Sequence, residues 1–292
     1  MSVQGLVRSA AIVVVAMTLA GCASRITGTA GPVTTAETGA GEQPAPQRPD
    51  GRGETSTPIA EPGQCMDGNS TAPVDCEDSH TVEMTKKGTF GQDMPVESPD
   101  QATVFRNAFP VCRQAAADYL GNESYDATRL GAWIVWPDAE QWREGQRWYR
   151  CGVAQISQDG SAESRTGSAK DVLAGEGLYR FQYCSSVRPS EQDPRQLPCD
   201  RPHVAEAIGV VPAGKPTDPI PGERAFDAMA EPVCSDLAAR YLGAVRDDVR
   251  VTWRWPDQTN WRAGFTNVTC YVETEDPVGE PLRGIGMAPL PK

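Results

Sequence analysis

Two short elements hold the only histidines of the chain: Cys76-Glu-Asp-Ser-His80-Thr-Val-Glu83 and Cys199-Asp-Arg-Pro-His203-Val-Ala-Glu206. Cysteine, histidine and glutamate can all ligate zinc. Histidine is also the commonest general acid–base residue, with glutamate close behind. His80, Glu83, His203 and Glu206 are therefore the first candidate binding residues. Trp142 and Trp261 are the second, because an aromatic ring serves as a platform for a sugar or a peptide. Nine cysteines supply the remaining chemistry, and what they do depends on the compartment in which the chain folds.

The N-terminus sets that compartment. Arg8 and the free amine flank an apolar run from Ala10 to Ala20. The run is too short to cross a bilayer core of roughly 30 Å, which takes a helix of about 20 residues. It ends in Leu19-Ala20-Gly21-Cys22, which looks like a bacterial lipobox: small residues that enter a peptidase extended, then a thiol to carry diacylglycerol. Residues 1–21 are read as a lipoprotein signal peptide and Cys22 as the lipidated residue. The expected location is the extracytoplasmic face of the cell membrane, with the membrane contacted through the lipid anchor. Residues 22–62 are rich in Thr, Gly, Ala, Pro, Glu and Gln and poor in large apolar side chains, so they read as a disordered tether. Such a tether of about 40 residues would reach about 35 Å. The 27 Lys+Arg against 39 Asp+Glu give a net charge of −12, which argues against nucleic acid and against electrostatic docking on anionic lipid.

Beyond the tether the sequence repeats itself. Besides the Cys-x3-His-x2-Glu elements, Pro110-Val111-Cys112 matches Pro232-Val233-Cys234, and Tyr119-Leu120-Gly121 matches Tyr241-Leu242-Gly243 at the same distance from the cysteine. Trp136-Pro137-Asp138 with Trp142 and Gly145 parallels Trp255-Pro256-Asp257 with Trp261 and Gly264. Cys151 and Cys270 close the two copies at equal intervals from those glycines. The reading is a domain over 63–170, a linker over 171–178 and a second domain over 179–288. Setting Cys22 aside, each copy has four cysteines, an even number that reads as a disulfide framework in an exported chain. Of the three connectivities open to each copy, Cys65–Cys76 with Cys112–Cys151, and Cys184–Cys199 with Cys234–Cys270, are preferred. The first kind closes a short loop between neighbouring strands; the second ties a helix to a late strand.

These residues are positioned by a recurring set of elements. A short strand is expected around Cys65, and another over His203-Val-Ala-Glu-Ala-Ile-Gly-Val-Val211, with a weaker counterpart from His80. Ser98-Pro99-Asp100-Gln101 reads as a helix start with Ser98 as cap, Pro110 and Pro232 as kinks or restarts, and Gly121 and Gly243 as left-handed stops. Trp133–Trp136 and Val251–Trp255 read as strands, and Trp142 and Trp261 fall in loops. Turns are expected at Asp159-Gly160 and at Asp276-Pro277, each followed by a last strand. The fold class is α+β: two tandem disulfide-stapled domains, each a mainly antiparallel sheet carrying one kinked helix.

In that setting the histidines are expected to be structural, bonded to turns beside the disulfides. Oxidised cysteine is no zinc ligand, and His and Glu three apart on a strand point to opposite faces, so neither copy offers three ligands. No metal, cofactor or catalytic residue is assigned. The chain has no Gly-x-Ser-x-Gly elbow. An envelope hydrolase or metal-binding protein using His80 or His203 is the competing reading. For the tryptophans, filling the core is preferred to forming a ligand platform.

Gly63-Gln64-Cys65-Met66-Asp67, the Cys-x3-His-x2-Glu element, a helix cysteine, Pro-x4-Trp-x2-Gly and a closing cysteine together resemble the septum-formation domain of actinobacterial envelope proteins. Arg165-Thr-Gly-Ser168 fits its usual ending, and the order recurs in the second copy except at Phe181-Gln-Tyr-Cys184, which lacks the glycine and aspartate. The resemblance implies a membrane-anchored extracytoplasmic module, associated by name with septation and carrying no enzymatic mechanism. The expected function is a non-enzymatic interaction module of the cell envelope linked to septation, with an envelope protein or a wall polymer as partner.

Overall fold

The computed structural model describes residues 59–67 and 70–292. The expected signal peptide over 1–21, the expected lipidation at Cys22 and most of the expected tether over 22–62 lie outside the described residues.

The first copy runs β1 (Cys65–Met66), β2 (Pro73–Val74), β3 (Val82–Thr89), α1 (Gln101–Leu120), a 3-10 turn (Glu123–Ala127), β4 (Leu130–Val135), α2 (Ala139–Arg143), β5 (Trp148–Ile156) and β6 (Ala162–Glu163). The second follows with α3 (Gly177–Phe181), β7 (Tyr183–Ser185), β8 (Gln196–Pro198), β9 (His203–Pro212), α4 (Glu223–Leu242), β10 (Arg250–Arg254), α5 (Gln258–Arg262) and β11 (Asn267–Val278). All strand pairs are antiparallel. The sheets are ordered β2-β1-β3-β5-β4, with β6 added on β5, and β8-β7-β9-β11-β10. Copy for copy these are the same path, and the fold is α+β with a helix of 20 residues on each sheet.

The helices bury a stripe at helical spacing. In α1 it is Val104, Ala108, Cys112, Ala116 and Leu120; in α4 it is Phe226, Ala230, Cys234, Ala238 and Leu242. Small residues in the middle of each stripe let the helix approach the sheet closely enough for its cysteine to bond the central strand. Cys112–Cys151 joins α1 to β5, and Cys234–Cys270 joins α4 to β11, with Cα separations of 4.9 and 5.3 Å. Cys65–Cys76 and Cys184–Cys199 staple β1 and β7 to the turn ahead of each histidine.

Several local expectations are corrected. Asp100, not Ser98, caps α1, its carboxylate accepting from the Thr103 amide at 2.8 Å, because an acidic side chain two residues closer reaches the open amide. Neither helix restarts at Pro110 or Pro232: each continues through its proline, which forfeits one backbone hydrogen bond, while the disulfide two residues on pins the rest of the helix to the sheet. Gly121 and Gly243 do adopt the left-handed stop, with φ of 79° and 78°. Asp276-Pro277 lies within β11 rather than at a turn. The strand bulges between Glu273 and Val278, and Val278 pairs with His203, so no further strand follows.

Domain limits shift as well. The fold begins before 63, since Ala60 is fully buried beside Met66 and Val82 and its amide donates to Thr71 O at 2.8 Å. The 171–178 stretch is packed rather than a free linker. Leu173 sits in the first core, and the amides of Asp171 and Leu173 bond Tyr119 O and Leu120 O at the end of α1. Gly284 and Gly286 do the same for Tyr241 and Leu242 at the end of α4, so the tail is part of the repeat.

The two domains pack on each other. The 3-10 turn of the first lies on β9 and β11 of the second, joining Ala127 with Tyr183, Ala207, Val210 and Tyr271 in one small cluster. Arg113 bridges the junction: its guanidinium pairs with Asp126 at 2.6 Å, donates to Gly264 O at 2.8 Å and stacks 3.9 Å over Phe265. Asn267 donates to the same Asp126 carboxylate at 2.8 Å.

Candidate functional site

Each histidine stands at or just before the start of a central strand, near its glutamate and next to the short disulfide. His80 precedes β3 and is bridged only to Arg165; His203 is the first residue of β9, opposite the bulge in β11. Regular alternation does not apply where strand pairing is broken. Histidine and glutamate therefore turn to the same side instead of opposite faces, correcting the expectation from strand geometry. All four side chains are buried: His80 and His203 are 0% and 1% exposed, Glu83 and Glu206 1% and 0%.

In the second copy His203 Nδ1 lies 2.7 Å from Arg201 O and Nε2 lies 2.9 Å from Glu206 Oε1. The same carboxylate accepts the Leu282 amide at 2.8 Å and the Tyr241 hydroxyl at 2.6 Å. Both ring nitrogens thus face acceptors, a carbonyl and a carboxylate, which favours the imidazolium with both N–H groups donating. Burial by itself would lower the His203 pKa; the bonds to Glu206 and to Arg201 O, with the Glu206 charge, outweigh it and raise it. Tyr241, buried and held against the carboxylate, is pushed far above the ordinary range for a phenol.

The first copy uses the same parts with different bonds. Glu83 accepts Tyr119 Oη at 2.5 Å, Ser168 Oγ at 2.6 Å and the Ala169 amide at 2.5 Å, with the Arg165 guanidinium 3.8 Å away. His80 Nδ1 faces Asp78 O at 3.0 Å, while its buried Nε2 has no hydrogen-bond partner. Ala169 and Leu282 occupy equivalent places on the two carboxylates, so Ser168 corresponds to Pro281. Proline has no hydroxyl, and His203 supplies that donor to Glu206 instead. Burial, then the Glu83 bond, pushes the Tyr119 phenol up to about 12.

Chemically, these are carboxylates held by a full set of donors. The atoms of Cys65, His80 and Glu83 lie within 4.8 Å of one another, as do those of Cys184, His203 and Glu206. Both cysteines are spent in disulfides, which leaves a histidine and a glutamate per copy, fewer than the three protein ligands of a catalytic zinc. Among the described residues neither imidazole is bonded to a serine hydroxyl.

Trp142 and Trp261 are not exposed platforms, and they lie in the short helices α2 and α5 rather than in loops. Asp138 and Asp257 cap those helices, and the rings go to 0% and 1% exposure, their indole N–H groups bonded to Pro95 O at 3.2 Å and Asp218 O at 2.9 Å. Arg147 covers the Trp142 ring at 3.9 Å and Phe226 meets Trp261 edge-on.

Sequence reading did not single out Tyr119 and Tyr241 as site residues, although they were matched in the repeat. Each stands seven residues after its helix cysteine, two turns further on the face that the disulfide holds to the sheet. The Ala169 and Leu282 amides left no signal, because any residue but proline supplies one. A third feature arises only from domain packing: a junction cavity of about 170 Å3 among Phe109, Tyr125, Trp255, Phe265 and Tyr271. It is smaller than the roughly 300–1,000 Å3 pockets that bury a whole small ligand.

A duplicated α+β unit, two staples per copy and a buried carboxylate–tyrosine–histidine cluster under each short staple define a disulfide-scaffolded tandem-domain protein. The septum formation family model matches residues 35–128 and 62–270. The chain belongs to that family, which associates it with septation. No curated protein and no solved structure matches it.

Proposed function

We propose that this protein is a lipid-anchored, extracytoplasmic binding module that acts in septation without catalysis. The lipobox-like Cys22 would hold it to the membrane, and residues beyond it would carry the twin domains to an exported protein or a wall polymer. One observation carries the non-enzymatic reading. Every cysteine of the folded region is paired, and both histidines are enclosed, so the groups best suited to nucleophilic, metal or acid–base chemistry are committed to structure. Two linked domains would raise avidity for a repeating partner.

The reading is tested in dividing cells with photo-crosslinking residues at Val96 and Val245, which are 88% and 83% exposed and so tolerate replacement. A discrete adduct with an exported protein or a wall fragment is expected, along with septation defects on deletion and loss of membrane retention in Cys22→Ser. Absence of any adduct from both positions, or normal septation without the protein, overturns it.

A further inference from the structure

The two copies differ at the position that decides whether the carboxylate–tyrosine pair is covered. β1 and β7 pair with β3 and β9 in the same register, Cys65 opposite Glu83 and Cys184 opposite Glu206. Two residues before each cysteine stand Gly63 and Gln182. Their equivalence is fixed a second way, since Cys76 Sγ lies 4.0 Å from Gly63 O and Cys199 Sγ 3.7 Å from Gln182 O.

In the second copy Gln182, 5% exposed, lays its carboxamide over the cluster. Nε2 donates to Ala207 O at 2.8 Å, and Oε1 lies 3.1 Å from the Tyr241 hydroxyl, which it shares with Glu206 at 2.6 Å. In the first copy that side chain is missing. Gly63 has φ +86°, and a Cβ placed on it would meet nothing within 4 Å. An open pocket of about 490 Å3 takes its place, lined by Gly63, Glu83, Thr85, Tyr119, Ser168 and Lys170. Tyr119 is only partly buried where Tyr241 is 4% exposed. The counterpart of Ala207 O is Met84 O, which already accepts from Gly63 N at 2.7 Å. Thr85 Oγ1 beside it has no partner.

We propose that the first-copy pocket binds a carboxamide from outside, the group that the second copy provides from its own Gln182. The amide N–H would meet the unpartnered Thr85 Oγ1 and its oxygen the Tyr119 hydroxyl, both in the pocket lining; a carboxylate in its place lacks that donor and faces Glu83. The ligand class is therefore an uncharged amide carried on a peptide, as in a glutamine side chain. This deepens the binding-module reading and rests on it. A negative titration beside captured partners in cells overturns the ligand assignment alone.

The probe is N-acetyl-L-glutamine amide, titrated into isotope-labelled full-length Cys22→Ser protein with its disulfides intact, with N-acetyl-L-glutamate as control. Saturable shifts are expected at Gly63, Thr85 and Ser168 and not at Ala207, with one molecule bound per chain and preference over the glutamate of about tenfold or more. Lys170→Trp, at an exposed rim position, should abolish binding and leave the remaining spectrum folded. Shifts that do not saturate, equal binding of the glutamate, or undiminished binding in folded Lys170→Trp overturns the proposal.

Discussion

Tyr119→Phe and Tyr241→Phe remove the same atom from equivalent places, yet the surroundings predict unequal costs. The Tyr241 hydroxyl is the donor to Glu206 Oε2 at 2.6 Å, and that carboxylate is 0% exposed. Without the hydroxyl, Oε2 and Gln182 Oε1 both lose a donor in a place water does not reach. A hydrogen bond to a charged group contributes about 1.5–3 kcal/mol, and a buried orphan pushes the loss to the upper end, about 3 kcal/mol. Tyr119 is partly exposed, and Glu83 Oε1 keeps Ser168 Oγ at 2.6 Å while the open pocket admits water. About 1 kcal/mol is expected there. For a domain of this size the first corresponds to a fall in melting temperature of roughly 10 °C and the second to a few degrees. Calorimetry under non-reducing conditions, with hydrogen exchange of β3 and β9 amides to assign each loss to its domain, reads both. Equal costs, or a larger loss for Tyr119→Phe, would refute the view that the second cluster is sealed and the first is open.

Further predictions concern pH, sulfur and the tryptophans. Because the His203 pKa is raised in the folded state, its contribution is fully present below the ordinary value of 6.5 and is lost as pH rises through the raised value. Denaturation midpoints should fall over that window, and His203→Gln should remove that part of the slope; an unchanged profile contradicts the ion pair with Glu206. Removing Cys112–Cys151, which closes 39 residues, should cost about 4 kcal/mol by loop entropy, against about 3 kcal/mol for Cys65–Cys76, which closes 11. Guanidinium titrations of the paired Ser variants check the order. Trp142→Ala and Trp261→Ala should each cost about 3–5 kcal/mol as cavities in the core. Partner capture that disappears while stability holds would instead return these rings to a binding role.

The sequence alone carried the duplication, the α+β class, the left-handed helix stops and four cysteines in each copy; which cysteine meets which was a preference among three connectivities until the structure paired them. Those properties are written in residue types at fixed spacing, and local chemistry determines them: glycine at a helix end, a cysteine seven residues before a tyrosine, an even cysteine count in each copy. Tertiary structure decided what the candidate residues do. His203 meets Glu206 because strand pairing breaks at the start of β9, and Tyr241 reaches the same carboxylate from 35 residues away. Leu282 closes the cluster from 76 residues away with a backbone amide that any side chain could accompany. The difference between an open and a filled site turns on Gly63 and Gln182, whose correspondence follows from strand register and not from likeness of sequence. Contacts of that kind depend on where the folded chain brings distant atoms, and a linear pattern of residue types does not record distance in space.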